Sequence, residues 1–228
     1  MIAKEGIIFI FLALFLTVVF YAVSLALDSK VFYSVSVLFA VLTLFITFFF
    51  RDPNRTFENK KGLIVSPADG KVLYVKNIGH HDFIGGETTK IAIFLNVFDV
   101  HVNRVPTDGV VNYVKYNPGK FHVASVDKAS ELNEQTEIGM TSASGQKIIC
   151  KQIAGYIARR IVCKLSENQT VTAGDRFGLI RFGSRTELFV PASSSIAIKA
   201  GDKVVGSETI IGQLASIDIK ANSEENRA

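Results

Sequence analysis

Residues 6–50 read GIIFIFLALFLTVVFYAVSLALDSKVFYSVSVLFAVLTLFITFFF, an apolar stretch that one short polar segment interrupts. Its two halves, residues 6–26 and 31–50, each hold about 20 residues without a charge, the helical length that crosses a hydrocarbon core of roughly 30 Å. Only LDSK at residues 27–30 separates them, so the chain must turn straight back. The stretch therefore predicts a transmembrane helical hairpin with both ends on the same side of the membrane.

Basic residues beside the hairpin indicate its orientation. Lys4 precedes the first apolar segment and Arg51 and Arg55 follow the second, whereas the turn carries only Lys30. Because positively charged flanks stay in the cytoplasm, we expect the rest of the chain on the cytoplasmic side of the cell (inner) membrane. A cleaved signal peptide is the alternative, but its apolar region would be shorter and would not be followed by a second one.

Beyond Arg55 the chain consists of short runs rich in Val, Ile, Phe and Tyr, separated by Gly, Pro, Asn and Asp, which is typical of β-strands. The whole-chain hydrophobic share of 48% and mean hydropathy of +0.30 come largely from the hairpin. We predict a membrane-anchoring domain over residues 1–50 and a mostly β, barrel-sandwich-like catalytic domain over residues 51–228. Predicted strands span residues 63–66, 71–77, 90–96, 109–116, 146–152, 160–164, 178–181, 187–190 and 195–199.

One short sequence repeat bears on this architecture. AGDR at residues 173–176 recurs as AGDK at residues 200–203, each after a β-like run. The repeat predicts paired hairpin turns in a barrel-sandwich domain resembling lipoyl and biotinyl carriers.

Composition also excludes some classes of function. A net charge of +4 gives no reason to expect a nucleic-acid partner. Cys150 and Cys163 lie in apolar β-like runs and are expected to be buried, reduced thiols. They lack the spacing and the histidine partners of a zinc site, so no metal is predicted.

Three polar motifs supply residues for nucleophilic chemistry: RFGSR at residues 181–185, SPADGKV at 66–72 and FDVHVNRVP at 98–106. Ser184 is a candidate nucleophile toward the carbonyl of Gly183, with His101 as its base and Asp69 orienting the imidazole. Each motif also has an ordinary structural explanation: a Gly turn, a histidine at a strand edge and an Asp-Gly turn.

Together with FFRDPNR at residues 49–55, these motifs resemble the phosphatidylserine decarboxylase proenzymes of the short, single-chain prokaryotic type, from about residue 48 to 191. The resemblance implies that the chain cuts itself between Gly183 and Ser184. The β chain, residues 1–183, and the α chain, residues 184–228, would remain together as a heterodimer, and a higher oligomer is compatible with it. Ser184 would become a covalent pyruvoyl cofactor, so that neither PLP nor a metal is required.

The reaction implied by the resemblance is the decarboxylation of phosphatidylserine to phosphatidylethanolamine in phospholipid biosynthesis. The pyruvoyl carbonyl at residue 184 would form a Schiff base with the substrate amine and take up the electrons left as CO₂ departs. His101 is the expected proton donor to the resulting carbanion. The hairpin would hold the site against the bilayer, where the lipid headgroup lies.

Substrate-binding residues are expected from the same resemblance. Phe121 and His122 lie where the family has a segment lining the substrate site. Arg104 stands where many relatives have a second histidine, which leaves the role of that histidine unassigned here. Arg104 is instead a candidate for binding a phosphate or carboxylate, or for a surface salt bridge.

Two alternative functions stay open at this point. One is a non-enzymatic, membrane-anchored barrel-sandwich carrier or adaptor, although residues 165–198 contain no lysine to carry a group. The other keeps the chemistry and changes the substrate, to a lipid such as archaetidylserine or to a soluble amino acid.

Overall fold

The computed structural model describes residues 1–58, 60–119, 133–155, 160–181 and 184–215. The chain forms two compact units, Met1–Asn54 and Arg55–Ala228. The first unit contains a short 3-10 turn, Lys4–Gly6, followed by helices α1 (Ile7–Ala26) and α2 (Lys30–Phe49). In the described residues, the second unit is built from β-strands.

The two helices pack against each other through aromatic rings. Phe20 of α1 stacks on Phe32 and Phe39 of α2, with ring centroids 6.3 and 5.4 Å apart. Both helices are long and apolar enough to cross a membrane, and only 11% and 6% of their most apolar windows are buried. The pair is therefore consistent with membrane association.

The start and the end of the helical pair lie side by side. The backbone N–H of Ala3 donates to the carbonyl of Phe50 at 2.8 Å, and that of Asp52 donates to the carbonyl of Met1 at 2.7 Å. Gly6 fits this junction because a Cβ there would lie 2.3 Å from the Phe50 ring. The predicted hairpin, with its two ends together, is confirmed within this unit.

The described residues of the second unit contain fourteen strands. They are β1 (Leu63–Val65), β2 (Gly70–His81), β3 (Gly86–Leu95), β4 (Val102–Arg104), β5 (Gly109–Asn117), β6 (Gln135–Ser142), β7 (Lys147–Ile153), β8 (Ile161–Cys163), β9 (Thr170–Val171), β10 (Arg176–Ile180), β11 (Ser184–Pro191), β12 (Ser195–Ile196), β13 (Lys203–Val204) and β14 (Ile210–Gln213).

Eight of these strands form one antiparallel sheet in the order β13-β2-β3-β11-β7-β6-β5-β9. Its register shifts at Val72/Tyr74, at Asn77/His80 and at Val111/Tyr113. Such irregularities bend a strand and increase its twist, so the sheet curls into a half-barrel. Two three-stranded sheets, β1-β14-β12 and β4-β10-β8, complete the described part of the unit.

Strand β11 is an inner strand of the large sheet, paired with β3 on one side and β7 on the other. Leu188 and Val190 belong to the apolar core. Because successive side chains of a strand point to opposite faces, Ser184 shares their face, whereas Arg185 and Glu187 lie on the other. The predicted fold class, a mostly β domain after an apolar helical hairpin, is confirmed.

Both AGD repeats form turns, but the predicted hairpins are wrong. Gly174 and Gly201 have φ values of 83° and 95°. In each turn the backbone N–H of the aspartate donates to the carbonyl of the residue three positions earlier. The strands that flank each turn belong to different sheets. Each turn instead bonds a residue far away in the chain: Gly174 N donates to Val105 O, just after β4, and Gly201 N to Val72 O on β2, both at 2.8 Å.

Candidate active site

Ser184 is the first residue of β11 and is fully buried. Its register partner on β3 is Leu95. The Ser184 Oγ has no hydrogen-bond partner among the residues that the structure describes. Leaving a buried hydroxyl unpaired costs about 1–3 kcal/mol, so its presence calls for an explanation such as reactivity.

His101 lies directly before β4 and is fully buried. Its Nδ1 is 3.0 Å from the backbone oxygen of Asp99. Because a carbonyl oxygen only accepts, this bond requires the ring proton on Nδ1 and leaves the lone pair on Nε2. In a neutral ring this is the tautomer with the proton on Nδ1 and the lone pair on Nε2.

Two hydrogen bonds bring the segment of His101 to the segment of Ser184. The backbone N–H of Ile180 donates to the carbonyl of His101 at 3.3 Å. Two residues further on, Asn103 Nδ2 donates to Thr186 Oγ1 at 3.3 Å. Ile180 precedes Ser184 and Thr186 follows it, so residues 101–103 contact the chain on both sides of the predicted cleavage point.

The Asp69 carboxylate is held by an arginine and by a backbone amide. Arg55 Nη2 donates to Asp69 Oδ2 at 2.7 Å, and Arg55 Nη1 bonds Oδ1. The N–H of Gly206 also donates to Oδ1, at 2.9 Å. The two charged side chains are only 6% and 13% exposed. The segment of Asp69 contacts the segment of His101 through the backbone, since Arg104 N donates to Pro67 O at 2.9 Å.

The corner that holds Asp69 occurs twice in the fold. PADG at residues 67–70 recurs as PTDG at residues 106–109. Asp108 Oδ1 accepts the N–H of Ala173 at 2.7 Å, as Asp69 accepts that of Gly206. In each corner the glycine is the first residue of a strand and packs closely against the backbone of a neighbouring strand. A Cβ would lie 2.1 Å from a carbonyl oxygen in the first corner and 2.3 Å from one in the second, so only glycine fits. In the first corner, Asp69 also forms the bidentate ion pair with Arg55.

On the opposite face of β11, buried charges follow Ser184. Arg185 is fully buried, with Nε 2.9 Å from Glu187 Oε1 and Nη2 bonded to the Tyr74 hydroxyl. Lys90 Nζ lies 3.0 Å from Glu187 Oε2. Charges buried in this way persist when they are paired. The network therefore fixes β11 beside Ser184, and the Arg185 side chain is held by contacts within the protein.

A second charged group on the same sheet involves Glu137, which accepts the Tyr113 hydroxyl at 2.6 Å and pairs with Lys151 at 2.6 Å. Burial alone would raise the pKa of Glu137, but the Lys151 and Tyr113 hydrogen bonds outweigh it and lower that pKa. The pKa of Tyr113 is raised by burial and by Glu137. This group stabilises the sheet and contains none of the predicted catalytic residues.

The remaining predicted residues are distributed as follows. Arg104 lies on β4, where Nη1 donates to the carbonyl of Gly174 at 3.4 Å. Gly183, Phe121 and His122 lie outside the described residues. Cys150 is a buried free thiol, and burial raises the pKa of both cysteines. Among the described residues, no group of three His, Cys, Asp or Glu side chains is placed to hold a metal ion.

Sequence reasoning did not single out three residues that contact the segments of Asp69 and His101. They are Arg55, Asn103 and Gln152, whose Nε2 donates to Asn103 Oδ1 at 2.8 Å. Arg55 and Asn103 stand inside motifs that were recognised, at residues 49–55 and 98–106, so the motif boundaries were the available signal. Gln152 lies in the β-like run of residues 146–152, and no sequence pattern distinguishes it.

A buried serine hydroxyl, a buried histidine and an apolar helical pair are the features expected of a membrane-associated enzyme with a serine nucleophile. The model of the phosphatidylserine decarboxylase family matches residues 42–212. A phosphatidylserine decarboxylase proenzyme of Desulfotalea psychrophila is 45% identical over 213 residues, which cover 93% of this chain and 96% of the relative. The proenzyme of Geobacter metallireducens is 44% identical over 215 residues, with the same two coverages.

A third relative extends this similarity. The phosphatidylserine decarboxylase proenzyme of Symbiobacterium thermophilum is 45% identical over 175 residues, which cover 77% of this chain and 81% of the relative. The chain therefore belongs to the phosphatidylserine decarboxylase family. This membership does not favour the alternative of a non-enzymatic carrier or adaptor.

Proposed function

We propose that this chain is a self-processing proenzyme that decarboxylates phosphatidylserine to phosphatidylethanolamine. The observation that carries the proposal is the fully buried Ser184 hydroxyl, which has no hydrogen-bond partner among the described residues. Family membership supports the substrate and the reaction. The contacts around Ser184 support the assignment of residues to roles.

His101 is the proposed base that activates Ser184. Its Nδ1 is engaged with the Asp99 carbonyl, so Nε2 is the atom that would take the hydroxyl proton. The bonds from Ile180 and to Thr186 hold residues 101–103 against the chain on either side of Ser184. A hydroxyl is a weak nucleophile without such a base, which is why this contact matters for reactivity.

The self-cleavage balances without an added oxidant or reductant. As His101 takes the proton, Ser184 Oγ would attack the Gly183 carbonyl carbon, and the acyl group moves from nitrogen to oxygen. Elimination then breaks the Cβ–O bond and releases Gly183 as a carboxylate. The dehydroalanine left at residue 184 takes up water and loses ammonia to give a pyruvoyl group.

Asp69 is the proposed acidic member of the set, which stabilises the imidazolium of His101 as it forms. Arg55 and the N–H of Gly206 fix both carboxylate oxygens of Asp69. The backbone bond from Arg104 to Pro67 then links this corner to the segment of His101. Asp69 would act at the end of a rigid corner, so its position is set before the reaction starts.

A pyruvoyl group at residue 184 fits the first position of β11, because it arises from Ser184 itself and needs no separate binding residues. When formed, it supplies a carbonyl that takes up the substrate amine and accepts the electrons released with CO₂. His101 Nε2, reprotonated from solvent in each turnover, would give a proton to the substrate carbon. Arg104 is the proposed contact for the substrate phosphate or carboxylate, and Phe121 and His122 for the rest of the headgroup.

The cut chains are proposed to stay together as a heterodimer. Strand β11 belongs to the α chain, residues 184–228, and pairs on both sides with strands of the β chain, β3 and β7. The apolar helices would anchor the assembly in the inner membrane with the catalytic domain in the cytoplasm, following the basic residues that flank the hairpin. This anchor favours a lipid substrate over a soluble amino acid.

Intact mass spectrometry of the denatured protein tests the cleavage and the cofactor together. The wild-type chain should give two species, one ending at Gly183 and one starting with a pyruvoyl-blocked residue 184. The Ser184→Ala chain should give a single uncut species that releases no CO₂ from phosphatidylserine vesicles. An uncut wild-type chain that persists on incubation, or a Ser184→Ala chain that still splits here, would contradict the proposal.

Replacement of the proposed base tests the role of His101 in processing. His101→Ala should leave the chain largely uncut, because the serine proton then has no acceptor and general-base catalysis is worth about 100-fold or more. The fraction cut is followed over time by the same mass measurement. Replacing the exposed His80 with Ala is the matched control and should leave processing unchanged. Normal processing of His101→Ala would remove His101 from the mechanism.

A further inference from the structure

Asn103 is a fully buried amide whose two ends are both bonded. Its Nδ2 donates to Thr186 Oγ1 at 3.3 Å and lies 3.5 Å from the carbonyl of Pro67. Its Oδ1 accepts Gln152 Nε2 at 2.8 Å. One side chain thus connects β11, the corner of Asp69 and strand β7.

The surroundings leave little freedom to this amide. Gln152, itself fully buried, also donates to the carbonyl of Val162 at 3.3 Å. Gly178 is the register partner of Asn103 on β10, and a Cβ there would lie 2.7 Å from Gln152 Nε2. The strands therefore approach closely enough for the two amides to meet, and the pair fixes their spacing.

The position of Asn103 along the chain connects it to the site. Asn103 follows His101 by two residues, Thr186 follows Ser184 by two, and Pro67 precedes Asp69 by two. Two residues of extended chain span only about 6–7 Å, so a contact at Asn103 constrains all three neighbours. Displacement of a reacting group by about 1 Å can cost about 100-fold in rate.

We infer that Asn103 is a positioning residue for self-processing: it sets the place of Ser184 relative to His101 through Thr186, and that of the Asp69 corner through Pro67. This role rests on the proposed function, because it acts on the proposed nucleophile and base. Asn103 itself exchanges no proton, and Gln152 supports it by holding Oδ1.

Thr186→Val tests the inference with the smallest change, since it removes one hydroxyl and keeps a β-branched side chain of similar size. We expect processing to slow by about 10-fold or more, measured as the fraction cut over time after synthesis. Thr186→Ser keeps the acceptor and should process close to the wild-type rate. Thr141→Val is the matched control, because Thr141 Oγ1 bonds Asn112 Oδ1 at 2.8 Å on an exposed part of the sheet.

A second measurement separates positioning from stability. In the uncut Ser184→Ala background, Thr186→Val should lower the unfolding temperature by only a few degrees, because one buried amide hydrogen loses its acceptor, and the chain should stay folded at the temperature of the processing assay. Asn103→Ala should slow processing as well, and the double variant Asn103→Ala/Thr186→Val should be no slower than Asn103→Ala, because both remove the same contact. If Asn103→Ala lowers the unfolding temperature, the Thr186 variants still decide the question.

The outcomes distinguish this inference from the proposed function. An uncut wild-type chain would end the proposed function itself. A wild-type chain that is cut, with Thr186→Val processing at the same rate, would overturn only the role of Asn103. Slow processing by a Thr186→Val chain that is folded at the assay temperature, restored in Thr186→Ser, would support it.

Discussion

The two Pro-x-Asp-Gly corners of the β unit share a backbone arrangement, and the first of them also holds Arg55. Asp69 and Asp108 each accept a backbone N–H on Oδ1, and each is followed by a glycine packed against a carbonyl. Arg55 forms a bidentate ion pair with Asp69. The repeated part explains why an aspartate is needed to build the corner, and the ion pair with Arg55 is consistent with the role proposed for Asp69.

The largest effect expected from this comparison concerns processing. Asp69→Asn keeps an acceptor for the N–H of Gly206 but loses the charge, so self-cleavage should slow by about 100-fold or more if that charge stabilises the imidazolium of His101. Asp108→Asn keeps the equivalent acceptor and should process at nearly the wild-type rate. The measurement is the fraction cut over time. Equal effects at the two positions would mean that Asp69 has only the structural role that Asp108 has.

Arg55 provides the second test, through stability. Arg55→Gln would leave the Asp69 carboxylate largely buried without its cation, which should cost about 3 kcal/mol of the free energy of unfolding. Arg55→Lys keeps the charge and should lose less. Urea denaturation of the uncut Ser184→Ala chain in detergent measures both. Lys60→Gln is the control, because the Lys60–Glu58 pair is exposed and contributes little.

A stable Arg55→Gln chain would contradict this view of the first corner. It would show that the Asp69 carboxylate is adequately solvated or bonded without the guanidinium. The corner would then resemble that of Asp108, and the difference between the two would have to lie in the contact of the Asp69 segment with residues 101–104.

Much of the fold followed from local sequence. The two apolar runs and the strongly β-like segments were recognised because hydrophobic patterning is a local signal. β6 and β14 were missed because QTEIGMTS and IIGQ are short or polar and gain their strand structure from partners on either side. The AGD turns were found, but their strand partners were not, because pairing is decided by residues far away in the chain.

The same distinction applies to the site. Ser184, His101 and Asp69 stand in motifs that resemble a known family, so each could be named from sequence. The contacts that organise them could not, since Asn103 and Thr186 are separated by 83 positions and Arg55 and Gly206 by 151. Only the folded β unit brings such residues together, and the backbone bonds show that the two Pro-x-Asp-Gly motifs form equivalent corners.

The smallest effect concerns the glycines of the two AGD turns, which bond residues beside the two corners. Both have a positive φ, so Gly174→Ala and Gly201→Ala should each lose about 1 kcal/mol from left-handed backbone strain. Gly174→Ala should cost more, because its Cβ would lie 2.7 Å from the Phe57 ring, whereas at Gly201 the space is open. Thermal unfolding of the uncut Ser184→Ala chain compares them, and Gly86→Ala is the neutral control. Equal losses would show that the Phe57 ring moves aside freely, and that the turn beside the second corner is no more tightly packed than the turn beside the first.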